Sequence, residues 1–158
     1  MGIVAHDSVR IALTYAALND LDVTAGDVKD AYLSAPTSEK HYIICGKEFG
    51  EDAGRVTVIT RALCGGRYAG RDWWRYCHLC MDELGYRSCY ADPDVWMKPE
   101  KVGDQWVNSF VLLHTDDCLV ISNRGEGIIK NEIGRFFDFN PDNIGPPKLY
   151  LGGSMRLV

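Results

Sequence analysis

Residues 110–121 read Phe110-Val111-Leu112-Leu113-His114-Thr115-Asp116-Asp117-Cys118-Leu119-Val120-Ile121. Two apolar runs, each long enough for a strand and far short of a membrane span, flank a polar tetrad, and this predicts a β-hairpin with two carboxylates at its tip. Asp is a common turn residue, so a solvated tip is the ordinary explanation of such a pair. Two like charges held between strands of buried character repel, however, and a bound cation relieves that repulsion.

Working outward, Val9, Leu13, Ala16 and Ala17 recur at helical spacing between His6 and Asp20, with Asp7 or Ser8 placed to cap the first turn. Leu21, Val23 and Ala25 alternate with polar neighbours and lead into Gly26-Asp27-Val28, a strand ending at a carboxylate. Asp22 and Asp30 compete for that role, but only Asp27 lies in phase with the strand end. Tyr42–Cys45 and Arg55–Ile59, with Gly46, Gly50 and Gly54 between them, predict a hairpin around residues 40–60 that leaves the main sheet. Ala69, Trp73, Cys77, Cys80 and Leu84 form one face of a second helix, which Gly85 ends as a left-handed cap. After the turn Asp92-Pro93-Asp94 come strands over Val95–Lys98 and Trp106–Leu113, then Cys118–Ser122 beyond the Asp pair. A third helix is expected over Glu126–Phe137 and a terminal extended segment over Leu149–Leu157.

This order, βαββαβ after a leading helix, predicts an α+β fold: a ferredoxin-like (split βαβ) antiparallel sheet with its helices on one face. In it the first and third core strands are neighbours, so Asp27 and the Asp116-Asp117 pair converge at one edge of the sheet. Three converging carboxylates are hard oxygen donors that suit Mg2+, which keeps open positions for water and phosphate. Two such ions are the usual apparatus of phosphoryl and nucleotidyl transfer.

Composition sets the frame around that site. A chain of 158 residues, 46% hydrophobic and 25% charged, suits one folded domain over residues 1–158 rather than a disordered or fibrous protein. No apolar stretch is long enough to span a membrane, and no signal segment precedes the first helix, which places the protein on the reducing side of the cell. Six cysteines then read as thiols, with the Cys77-x-x-Cys80 pair as buried small apolar residues in the absence of a second pair at zinc-ligand spacing. A net charge of -5 argues against a surface that grips nucleic acid on all sides.

Five ordered segments resemble copia-type (Pseudoviridae) LTR-retrotransposon reverse transcriptases in their palm region. Gly26-Asp27-Val28-Lys29-Asp30-Ala31-Tyr32-Leu33 is similar to the first catalytic motif, Asp-Val-Lys-x-Ala-Phe/Tyr-Leu. Residues 61–73, Arg61-Ala62-Leu63-Cys64-Gly65-Gly66-Arg67-Tyr68-Ala69-Gly70-Arg71-Asp72-Trp73, resemble Lys-Ser-Leu-Tyr-Gly-Leu-Lys-Gln-Ala-Pro-Arg-x-Trp. Asp92-Pro93-Asp94-Val95-Trp96 resembles Asp-Pro-Cys-Val-Tyr, His114-Thr115-Asp116-Asp117 stands where the family has Tyr-Val-Asp-Asp, and Tyr150-Leu151-Gly152-Gly153 is similar to the primer grip.

The resemblance implies the palm of a right-hand polymerase and RNA-directed DNA polymerase activity. Asp27, Asp116 and Asp117 would hold two Mg2+ ions, with Mn2+ as a substitute. The backbone from Val28 through Lys29, Asp30 and Ala31 would face the incoming triphosphate, and Tyr32 would be the steric gate against a ribose 2′-hydroxyl, its other reading being a core aromatic. Gly65 and Ala69 would lie under template and nucleotide, Arg67 and Arg71 near phosphate, and Leu151, Gly152 and Gly153 in the primer grip. Trp73, Trp74 and Trp96 read as core. The implied partners are an RNA or DNA primer-template, dNTPs and the rest of the retrotransposon polyprotein, in a cytoplasmic virus-like particle or the nucleus. Fingers and thumb segments of the family are not recognised in the chain. Departures at His114-Thr115, Cys64 and Gly70 leave open a non-catalytic, degenerate palm that binds nucleic acid or protein. A palm-like nucleotide cyclase shares the two-metal logic, but no Gly-Gly-x-x-Phe signature is present.

Overall fold

The computed structural model describes residues 4–150 and 153–155. Apolar residues at helical spacing make α1 (His6–Leu18), which buries Val9, Ala12 and Ala16. Its first turn is capped differently from the expectation on Asp7 or Ser8. The N-cap is Ala5, without a side-chain cap, and the Asp92 carboxylate reaches in from the distant turn to accept from the Ala5 amide at 2.9 Å and the Ser8 hydroxyl at 2.5 Å. A remote carboxylate thereby does the work of a local cap.

Five strands form the central sheet: β1 (Val23–Asp27), β4 (Arg87–Ser88), β5 (Val95–Val102), β6 (Gln105–His114) and β7 (Asp117–Ile121), in the order β1-β7-β6-β5-β4 with every pairing antiparallel. The predicted hairpin is present, but it corrects the expected sheet order. The strand beside β1 is the returning arm β7, not the leading arm β6, and β4 extends the far edge. The terminal extended segment does not join this sheet. Among the described residues Leu149–Tyr150 pairs with Gly153–Ser154, and Leu151, Gly152, Arg156 and Leu157 lie outside the described residues. The outer edge of β1 is covered by residues 138–145, through the Ala25 amide to the Gly145 carbonyl at 2.7 Å and the Lys29 amide to the Asp138 carbonyl at 2.8 Å. A covered edge leaves no template for pairing with another chain.

The helices lie on both faces of the sheet, which corrects the expectation of one. Period-two alternation sends Trp96, Val111, Cys118 and Val120 toward α3 (Ala69–Glu83) and the helical segment 125–135, where they meet Trp73, Cys77, Met81, Ile129 and Ile133. The intervening Val95, Leu112, Leu119 and Ile121 pack with Val9, Ala12 and Ala16 of α1. Gly85 ends α3 in the left-handed conformation at φ 80°, as its position predicts. Cys77 and Cys80 are buried on this helix.

The third helix is irregular where a continuous one was expected. It runs as an α turn (Gly125–Gly127), a π segment (Ile128–Glu132) and a 3-10 turn (Ile133–Arg135). Three glycines weaken helix propensity here, and the bare Cα of Gly134 lets the Ile129 carbonyl approach to 2.9 Å of where a Cβ would stand. Gly125 is buried against β1, where a Cβ would collide with the Thr24 hydroxyl and stand 2.7 Å from its Cβ. Gly125→Ala therefore costs about 1–3 kcal/mol by overpacking, measured as a lowered urea midpoint.

A short helix α2 (Ala31–Ser34) follows β1, and the excursion around residues 40–60 forms its own two-stranded sheet of β2 (Pro36–Ile44) and β3 (Val56–Arg61). It begins earlier than expected, at Pro36. Its Tyr42, Ile44, Val56 and Val58 side chains are exposed.

Candidate functional site: a facing pair of carboxylates

The β1/β7 register sets Asp27 directly opposite Asp117, with Gly26 opposite Cys118. Cross-strand partners hold their Cβ atoms about 4.5–5.5 Å apart. On its other side Asp117 pairs with His114, and Asp116 occupies the two-residue turn between β6 and β7. The sequence placed Asp27 beside the Asp pair as a whole; the register selects Asp117 as the facing member. Burial pushes the Asp117 carboxyl above the usual carboxylate range, and the charges of Asp116 and Asp27 push it the same way while His114 opposes them. The fully buried neighbouring Cys118 thiol is pushed up to about 12, so it stays protonated.

The turn is held at both of its carbonyls. The Val28 amide donates to the Asp116 carbonyl at 2.7 Å, and the Trp73 indole N–H donates to the Thr115 carbonyl at 2.7 Å. Thr115 adopts φ 53°, where a β-branched residue is strained by about 1–3 kcal/mol. Left-handed backbone at the first turn residue matches the twist of a tight hairpin.

Asp27 is held in turn by two amides that the sequence reading did not single out. The Asn140 and Asn143 side chains both donate to its Oδ2, Asn143 at 3.3 Å, and the Asn140 backbone amide donates to the Asp27 carbonyl at 3.0 Å. Asn140-Pro141-Asp142-Asn143 reads as a turn, and nothing in its composition says which carboxylate it will fold against. Asp27 and Asp117 line one cleft together with Asn143, Gly145 and Lys148.

The other expected site residues fall around this cleft rather than within it. The Val28 and Lys29 amides are committed to protein carbonyls, and Lys29 and Asp30 line a second cleft with Arg61 and Arg135. Asp30 takes the left-handed conformation at φ 51° ahead of α2, in which Ala31 is buried. Tyr32 is half-buried, packs against the core and borders a narrow cleft with Gly70, Trp73 and Thr115. Gly65 turns the chain at φ 84°, Ala69 is buried at the start of α3, and Arg67 is exposed over the Tyr68 ring. Arg71 also covers that ring and donates to the Ser38 hydroxyl at 2.8 Å. Gly153 is exposed in its short strand.

The donor set fits hard divalent cations: oxygen ligands only, paired across two strands, with repulsion that a cation relieves. Among the described residues no three His, Cys, Asp or Glu side chains gather closely enough to hold a metal ion together. What the sheet edge offers is an open, two-carboxylate platform with a third carboxylate on the adjoining turn. Among the described residues, too, no helix is long and apolar enough to cross a membrane.

Fold and site define an α+β chain built on a five-stranded antiparallel sheet with an acidic strand end. In sequence it is 31% identical, over 164 residues covering 99% of its length, to the retrovirus-related Pol polyprotein from transposon TNT 1-94 of Nicotiana tabacum. The chain spans 12% of the length of that relative. It is thus related to a segment of a transposon Pol polyprotein. No protein-family model and no solved structure matches it.

Proposed function

We propose that the chain is the palm of a copia-type reverse transcriptase, an RNA-directed DNA polymerase in which Asp27, Asp116 and Asp117 hold two Mg2+ ions, or Mn2+ in their place. The observation that carries this reading is the Asp27–Asp117 pairing at the end of β1 and β7, with burial and two neighbouring carboxylates raising the Asp117 pKa. The ordered resemblance and the transposon polyprotein relative support it. The reaction is attack of the primer 3′-hydroxyl on the α-phosphorus of a dNTP, with pyrophosphate as the leaving group. Divalent cations, when bound, supply charge neutralisation at that phosphate and favour ionisation of the hydroxyl. Asp27 and Asp117 would hold them from facing strands, and Asn140 and Asn143 orient the Asp27 carboxylate. Val28 fixes the Asp116 turn through its amide. Tyr32 borders the cleft beside that turn, where a steric gate against a 2′-hydroxyl would stand. The partners are primer-template, dNTPs and the rest of a retrotransposon polyprotein, in a cytoplasmic virus-like particle or the nucleus.

A second reading, a non-catalytic palm remnant that binds nucleic acid or protein, is favoured by His114-Thr115 ahead of the Asp pair and by Cys64 and Gly70. Primer extension on a primed RNA template separates the two. The polymerase reading expects slow extension with Mg2+ or Mn2+ that falls steeply with salt, because a chain of net charge -5 holds nucleic acid weakly. Absence of extension with both ions at low salt favours the remnant.

A further inference from the structure

We propose that the tandem tryptophans Trp73 and Trp74 are positioning residues: they clasp the two ends of the β6 strand tip and so set where the Asp116 carboxylate points. This inference rests on the polymerase reading only in taking Asp116 and Asp117 as cation ligands. The two indoles leave α3 at adjacent positions and make separate bonds. Trp73, 4% exposed, donates to the Thr115 carbonyl at 2.7 Å. Trp74 donates to Asp94 Oδ1 at 2.8 Å, and the Asp94 carbonyl accepts from the Leu113 amide at 3.0 Å. Asp94 is itself 3% exposed.

The carbonyl that Trp73 holds belongs to the peptide joining Thr115 to Asp116. A peptide unit is planar, so fixing its oxygen fixes the plane from which Asp116 begins. The next carbonyl, that of Asp116, is fixed by the Val28 amide. Asp116 therefore stands between two anchored peptides, one tied to α3 and one to the strand that carries Asp27. Thr115 at φ 53° sits in a sparsely populated conformation, which persists only when its surroundings impose it. The Trp73 bond, made by a buried indole to the half-buried turn, is one such constraint.

The test measures Mn2+ binding by electron paramagnetic resonance on the whole chain, with primer extension beside it, for wild type, Trp73→Phe, Trp74→Phe and Phe137→Leu. Phe137 packs edge-on against Trp73 at 5.0 Å, so its variant loosens the same core while leaving both indole bonds intact. Outer-shell partners of metal ligands typically contribute about 10–100-fold in affinity or activity. Trp73→Phe is expected to bind Mn2+ about tenfold more weakly and to lose kcat with the KM for dNTP unchanged. Trp74→Phe, which carries the test should Trp73→Phe not fold, is expected to shift in the same direction, and Phe137→Leu to keep wild-type Mn2+ affinity. Equal Mn2+ affinity in wild type and both Trp variants overturns the clasp and leaves the polymerase reading standing, as does an equal loss in Phe137→Leu. Absence of Mn2+ binding by the wild type overturns the carboxylate site and the clasp together.

Discussion

Asp117→Asn is expected to lower primer extension by at least about a hundredfold while the chain melts no lower than wild type at neutral pH. The first half follows from the proposed polymerase reading: Asp117 faces Asp27 across β1 and β7, and a missing ligand in the two-metal site proposed there would cost large factors in rate. Its second half follows from charge. Burial and the Asp116 and Asp27 carboxylates raise the folded-state pKa of Asp117 above the ordinary carboxylate value. A carboxyl that binds its proton more tightly when folded contributes stability that is complete below the unfolded value and is lost as pH rises through the higher folded value. At neutral pH the ionised Asp117 thus opposes folding, and Asn removes that opposition while keeping the size of Asp. Without divalent cations, the advantage of Asp117→Asn in a thermal melt should be present at pH 7 and vanish as pH falls below about 4. A variant that extends primers as well as wild type contradicts the role of Asp117.

Leu112→Ala carries the largest expected effect on stability. Leu112 is fully buried near the C-terminal end of β6 and packs on the α1 side of the sheet, so its truncation leaves a cavity under two elements. Such replacements cost about 2–5 kcal/mol. For a chain of this size that is a drop of roughly 5–15 °C in Tm, checked by a calorimetric or circular-dichroism melt. A fall of only a degree or two would mean that α1 does not cover that face of the sheet.

The same residue shows why the sequence described the strands better than their surroundings. Phe110 to Leu113 and Cys118 to Ile121 are continuous apolar runs, which suffice for strands but do not alternate. Continuous runs are the mark of strands covered on both faces, and the structure covers them with α1 on one side and α3 with the 125–135 segment on the other. The ferredoxin-like expectation, with helices on one face, left the leading helix without a place. The amphipathic spacing of α1 and α3 and the left-handed Gly85 are local properties, and local sequence specified them. Helix 125–135 failed for a local reason as well, since Gly125, Gly127 and Gly134 interrupt a sound apolar period.

At the candidate site, the residues bearing charge were legible and their supports were not. Asp27 ends a strand and Asp116-Asp117 tip a hairpin, both written in alternation and turn chemistry. Which of the two tip residues faces Asp27 depends on register and on the choice of β7 over β6 as neighbour, a tertiary outcome. Asn140 and Asn143 lie 113 and 116 residues from Asp27 along the chain, and Trp73 lies 42 residues from Thr115. Hydrogen bonds of that span leave no periodic trace in a single sequence. Burial of Asp94, the cap that Asp92 lends to α1, and the orientation of both tryptophans belong to the same class.

Calorimetric titration of Mg2+ into the whole chain, for wild type, Asp27→Asn and Asp117→Asn at matched ionic strength, tests most directly whether the β1/β7 edge is a cation site. The carboxylate platform predicts saturable Mg2+ binding by wild type that both substitutions weaken by at least about tenfold, with all three proteins folded. Binding of equal strength in all three, or no saturable binding by wild type, would contradict it.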